Sequence, residues 1–200
     1  MKLQYMLRMI CAALAVTSCA PMPPRLQEVQ VPPERITQTG YSFVPLNEQG
    51  WLIAGRNPYQ VSLVRRGENP DETFAIQATP IKLPTFKSRE DMVRVIKEEQ
   101  TKDTNPSRFK LEKHEVNAYF EKVAYCVRSH MVTKDNAAVK RSGKTGDMIL
   151  GAMSLMCAHP KDRNVGVSVT YSHRYYPDQN DPKFIEKASR ILNSVEFSEF

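Results

Sequence analysis

Three short runs rich in β-branched and aromatic residues, WLIAG, YQVSLVRR and TFAIQATPIKL, follow one another from Trp51 to Leu83. They are separated by Asn57-Pro58 and by the turn-forming GENPDE, which predicts an antiparallel meander. The period then changes. In SREDMVRVIKEEQTKD, Met92, Val93 and Ile96 share one face of a helix, Ser88 is placed to accept from the amide three residues on, and Asp91 to reach back. VGVSVTYS alternates, with Val165, Val167, Val169 and Tyr171 on one side and Gly166, Ser168 and Thr170 on the other, as in a strand with one buried face. The closing DPKFIEKASRILNSVEF reads as a helix capped by Asp181 with Pro182 at its first position, then a short strand. Its apolar stripe is Ile185, Ala188, Leu192 and Val195.

Two segments fit more than one period. HEVNAYFEKVAYCVRSHMV has helical spacing up to Val123 and strand alternation after it, and DMILGAMSLMCAH is apolar on every side. Strands are the favoured reading of both, because the Val165 strand needs partners. The expected fold is therefore α+β, one domain over residues 51–200, mainly an antiparallel sheet with helices packed on its faces. A chain of about 150 residues is long enough for one core that buries about two thirds of its unfolded surface.

The N-terminus has a different character. An apolar run from Met9 to Val16 follows Lys2 and Arg8 and contains no acid, the order of a secretory leader. It is too short to span a bilayer, which takes about 20 apolar residues. Val16, Thr17, Ser18 and Cys19 resemble the lipobox of bacterial lipoproteins. The resemblance implies a signal peptide over residues 1–18, diacylglycerol on the Cys19 sulfur, cleavage before Cys19 and acylation of the freed amine. Val16 and Ser18 stand where leucine and alanine or glycine are usual. Ala20 in place of aspartate implies, by analogy with enterobacterial members, an outer-membrane anchor with the domain facing the periplasm. From Cys19 to Gly50 six prolines among polar residues read as an extended tether, with docking of YSFVPL on the domain as the alternative.

Composition fits an anchored globular domain: 41% of residues are hydrophobic and 25% charged, which excludes a disordered or multi-span chain. The formal charge of +6 falls to +4 once Lys2 and Arg8 leave with the leader. The basic residues are spread out, densest in VKRSGK, at Arg65 and Arg66, and at Lys161 to Arg163. They read as solvated surface, or as contacts to anionic lipid headgroups or lipopolysaccharide phosphates. No aromatic and basic residues interleave along the chain as a nucleic-acid platform would need, so nucleic acid is not an expected partner.

The order of elements resembles the Mog1/PsbP-like group, chiefly in the closing helix and strand and the strand before them. That resemblance implies an antiparallel sheet with helices on its faces and action mostly by binding. It carries no functional residues over.

Of four cysteines, Cys11 leaves with the leader and Cys19 is the acylation site, so Cys126 and Cys157 are expected to bond in an exported domain. The closed loop of about 32 residues makes that bond worth about 3.5–4 kcal/mol. The rival reading joins Cys126 and His130 with Cys157 and His159 as tetrahedral zinc ligands or as a Cys/His nucleophile. RSGKTGD is not a phosphate loop, because Ala138 stands where the first glycine is required, so no nucleotide is expected. Other catalytic templates are missing, and Glu98, Glu99, Asp178 and Asp181 read as solvated carboxylates. YSHRYYPD offers Arg174, Tyr175 and Tyr176 as a binding surface, being the residue types that interfaces prefer. The methionine-rich MILGAMSLM would suit a carrier of a small apolar ligand. The expected function is a non-enzymatic, lipid-anchored envelope domain, without cofactor, that binds a protein or an envelope component.

Overall fold

A computed structural model of the protein describes residues 25–122 and 124–199. The leader and Cys19 lie outside the described residues. The element order is β1 (Gln27–Glu28), β2 (Ile36–Gln38), β3 (Tyr41–Phe43), β4 (Leu52–Arg56), β5 (Val61–Arg66), β6 (Thr73–Lys82), α1 (Arg89–Asp103), β7 (Phe109–Tyr119), β8 (Cys126–Asp135), β9 (Met148–His159), β10 (Asp162–Tyr175), α2 (Phe184–Asn193) and β11 (Glu196–Phe197).

Two antiparallel meanders, β4-β5-β6 and β7-β8-β9-β10, meet where β10 pairs β6, giving the order β1-β4-β5-β6-β10-β9-β8-β7. Both ambiguous segments are strands. The result is a single-domain, sheet-dominated α+β protein with two helices among the described residues. Edge strand β7 keeps Lys110, Glu112 and Glu115 exposed, which discourages further pairing.

Alternation along the strands feeds two apolar clusters. Val167, Val169, Tyr171, Leu155 and the two cysteines join Trp51, Ala188, Ile191 and Leu192; Val127, Met156 and Ala158 join Met92 and Ile96 of α1. Each such fully buried large side chain contributes about 2 kcal/mol. Ser88 caps α1 as expected, its hydroxyl accepting from Asp91 N at 3.2 Å, but the Asp91 carboxylate reaches one residue further back, to Lys87 N at 2.9 Å. Gly166 lies under Leu83, where an added Cβ would stand 2.7 Å from the leucine side chain.

Two expectations are corrected. The last part of the proline-rich stretch is not tether but docks on the domain, the alternative for YSFVPL: β3 pairs with β11 on one side and β2 on the other, and Ile36, Tyr41, Phe43 and Leu46 enter the core. Arg35 fastens this segment by donating to Ser194 O at 2.8 Å and pairing with Glu196 at 2.8 Å. In α2 the stripe is Phe184, Ala188, Ile191 and Leu192, while Ile185 is 48% exposed. The cause lies at the N-terminus of α2. Asp181 accepts from Lys183 N at 2.8 Å and the Phe184 amide bonds to Asp181 O at 3.0 Å, so a tight turn precedes the helix and Phe184, not Ile185, faces the sheet.

Candidate functional site

The cross-strand register places Arg65 beside Phe74 and Phe74 beside His173 on one row of β5, β6 and β10. The side chains form a column. The Arg65 guanidinium lies 4.6 Å from the Phe74 ring centre, Phe74 stacks on His173 at 4.1 Å, and His173 stacks on Tyr175 at 4.4 Å. In front of this column opens a cleft of about 550 Å³, lined by Arg65, Arg66 and Glu72 on one side and Gln179, Asp181 and Lys187 on the other.

Charge in the cleft is mostly paired. Glu48 holds Arg65 at 3.1 Å and Lys187 at 3.2 Å, and Lys187 also meets Asp181 at 2.8 Å. Glu72 meets His173 Nε2 at 2.7 Å and accepts from Glu68 N at 3.1 Å. Gly67 makes this possible, because the Glu72 carboxylate folds over it into the space a Cβ would fill. A carboxylate opposite Nε2 fixes the proton there, so the neutral ring presents Nδ1 as an acceptor. Burial pushes the His173 pKa below the ordinary value even though Glu72 pulls it up. Burial alone would raise Asp181, but the hydrogen bonds from Lys187 and the Lys183 amide hold it below the ordinary carboxylate value. The Tyr171 hydroxyl and His173 Nδ1, both buried, have no hydrogen-bond partner among the described residues.

The expected binding surface is largely internal. Tyr176 is 3% exposed and its hydroxyl donates to Asp71 at 2.8 Å. Arg174 pairs at 3.1 Å with the fully buried Asp135, which also takes a two-pronged contact from Arg108 at 2.9 Å per prong. Only Tyr175, half-buried against His173, keeps part of its ring for a partner. The loop containing RSGKTGD is latched rather than free: Asp71 accepts from the amide of Ser142 at 3.0 Å and from its hydroxyl. These bonds, led by the Ser142 hydroxyl, hold the Asp71 carboxyl far below its usual range.

Cys126 and Cys157 are directly opposite in β8 and β9 and form a disulfide. His130 and His159 are not gathered around them. His130 is half-buried near Phe184, with ring centres 6.1 Å apart, and His159 is buried with Nε2 on Ser198 O at 3.0 Å and Nδ1 accepting from Lys161 N. Among the described residues no three His, Cys, Asp or Glu side chains converge as metal ligands. Glu98 and Glu99 sit on the exposed face of α1, paired with Arg94 and Lys102. Met148, Met153 and Met156 are core side chains.

Sequence reasoning missed the Arg65–Phe74–His173 column. Its signal was the alternation in VRR and TFAI, but it needs the β5–β6–β10 register, which joins residues about a hundred positions apart. A scan against protein-family models finds no match to the chain, and a comparison with the curated proteins finds none either.

Proposed function

We propose that this chain is a lipid-anchored envelope protein, attached through Cys19 to the bacterial outer membrane, whose periplasm-facing domain binds a protein or an envelope component and does no chemistry on it. The observation that carries the reading is the Cys126–Cys157 bond. A buried disulfide suits an oxidising compartment. It also consumes the two sulfurs that the Cys/His metal or nucleophile alternative would need as thiolates.

The polar cleft beside the Arg65 column is the docking place in this reading. Its walls carry both signs of charge and one aromatic floor, Phe74, which suits a polar peptide or glycan edge better than an apolar ligand. The finer fold reading, a Mog1/PsbP-like arrangement with a helix to either side of the sheet, draws support from the two clusters that α1 and α2 join separately.

Intact mass of the protein purified from its host's membranes tests the anchor: residues 19–200 plus acyl groups, with two thiols appearing only on reduction. The docking place is tested by a photo-crosslinking side chain at Asn180, in the cleft, against one at Asn117 on β7. A discrete adduct from Asn180 alone, lost in Arg66→Glu, is the expected result. No adduct, or the same adduct from both positions, overturns it.

A further inference from the structure

Away from the cleft, at the disulfide end of the sheet, side chains from separate stretches of chain form a second stack. The Arg163 guanidinium lies 4.4 Å from the Tyr125 ring centre. Arg89 lies 4.9 Å from the same ring and 5.1 Å from that of Phe120. Phe86 leans on Tyr125 at 5.8 Å. Cation and ring thus interleave in space although they do not along the chain.

The stack is held from below and open above. Arg89 donates to the carbonyls of Tyr119 at 3.0 Å and Ala124 at 3.3 Å, the residues just before Phe120 and Tyr125 in the chain. Arg163 is exposed, and Phe120 is 69% exposed, the second highest among the large apolar side chains exposed in the described residues. Neither guanidinium has a carboxylate partner among the described residues, because the nearby acids are engaged elsewhere. Glu121 takes the Tyr119 hydroxyl at 2.5 Å, Asp162 the Asn164 amide at 2.9 Å, and Glu199 pairs with Lys161. Glu90 is held chiefly by Ser88, with only a lesser pull from Arg89.

We propose that this end of the sheet is a membrane-contact surface for anionic phospholipid, with Arg89 and Arg163 on lipid phosphates and Phe120 in the headgroup boundary. A guanidinium over a ring can still offer N–H groups for two-pronged phosphate contact, and Arg89, whose Nη1 is taken by the two carbonyls, has Nε and Nη2 for it. An exposed aromatic beside cations is the composition that lies at a bilayer interface. An acidic protein patch would satisfy the arginines but leave Phe120 without a place, whereas a lipid surface takes both. The proposal rests on the lipid-anchored reading only in supplying a membrane within reach, and none of its residues lines the cleft.

The test uses residues 20–200, which hold the whole described fold and no acyl group, with Phe120→Trp as reporter. Trp51, the chain's only tryptophan, is fully buried and gives a constant background. With vesicles of mixed phosphatidylcholine and phosphatidylglycerol, the new tryptophan should shift to the blue and be quenched by brominated acyl chains; with phosphatidylcholine alone it should do neither. Arg163→Ala should weaken vesicle association roughly fivefold, the factor for about 1 kcal/mol per basic residue at a membrane surface. Arg89→Ala removes two bonds to loop carbonyls, so Arg163, whose guanidinium lies over Tyr125, is the deciding variant. An equal response in both vesicles, no response, or an unchanged affinity in Arg163→Ala overturns the proposal. Release by inorganic phosphate but not by chloride of equal ionic strength overturns it in favour of a free-phosphate site, and loss of the reporter response with retained crosslinking at Asn180 leaves the cleft reading intact.

Discussion

At the cleft end of the sheet Glu48, Glu72, Asp135 and Asp181 each hold a cation or an imidazole, while at the disulfide end Arg89 and Arg163 hold rings and carbonyls but no carboxylate. The difference follows burial. Asp135 and His173 are almost fully buried, and an unpaired charge there would cost several kcal/mol, so pairing is a condition of folding. Arg163 is exposed, where water screens it and pairing gains little, so its charge is available for contact. Charge held in buried pairs and guanidinium charge without a carboxylate partner among the described residues therefore lie at opposite ends of one sheet.

The largest effect should come from breaking a buried pair. Asp135→Ala leaves Arg174 and Arg108 facing each other without the carboxylate, and should cost about 3–5 kcal/mol in urea unfolding. A loss under 1 kcal/mol would remove the contrast. Next, reduction of Cys126–Cys157 should cost about 3.5 kcal/mol. Hydrogen exchange should then rise first at Tyr119 and Tyr125 and only later at Phe74 and His173, which sharpens the distinction between the ends.

The third effect is set by pH. The folded-state pKa of His173 lies below its ordinary value, mainly through burial, so the unfolded chain binds the proton more readily. Stability is fully present above the ordinary histidine pKa and declines as pH falls through it toward the lowered folded value, by up to ~1.4 kcal/mol per pH unit. Urea midpoints followed from neutral pH downward should fall, and His173→Gln should flatten the decline. The smallest effect on stability belongs to Phe120→Ser, within about 0.5 kcal/mol, since the side chain is mostly in solvent.

The sequence shows most of the sheet because its signals are local. Alternation in VSLVRR and VGVSVTYS marks β5 and β10, Ser88 marks the start of α1, and setting aside Cys11 and Cys19 under the lipoprotein reading leaves the two cysteines of the disulfide. What it hides is long-range. Prolines blur the pattern of Ile36, Tyr41 and Phe43, leaving docking of YSFVPL only as an alternative; β2 pairs with β3, and β11 returns to pair with β3. Tyr176 looks like surface until Asp71, more than a hundred residues away, is placed under its hydroxyl. The second stack draws on residues 89, 120, 125 and 163, so no window along the chain contains it.

The most direct test is urea unfolding of Arg174→Ala and Arg163→Ala beside the unaltered chain. Loss of the Arg174 partner should cost about 2–4 kcal/mol by leaving Asp135 undercompensated in the interior, and loss of Arg163 about 0.5 kcal/mol, the worth of one exposed cation on a ring. Equal losses would contradict the division of the molecule into charge that folds it and charge held for contact.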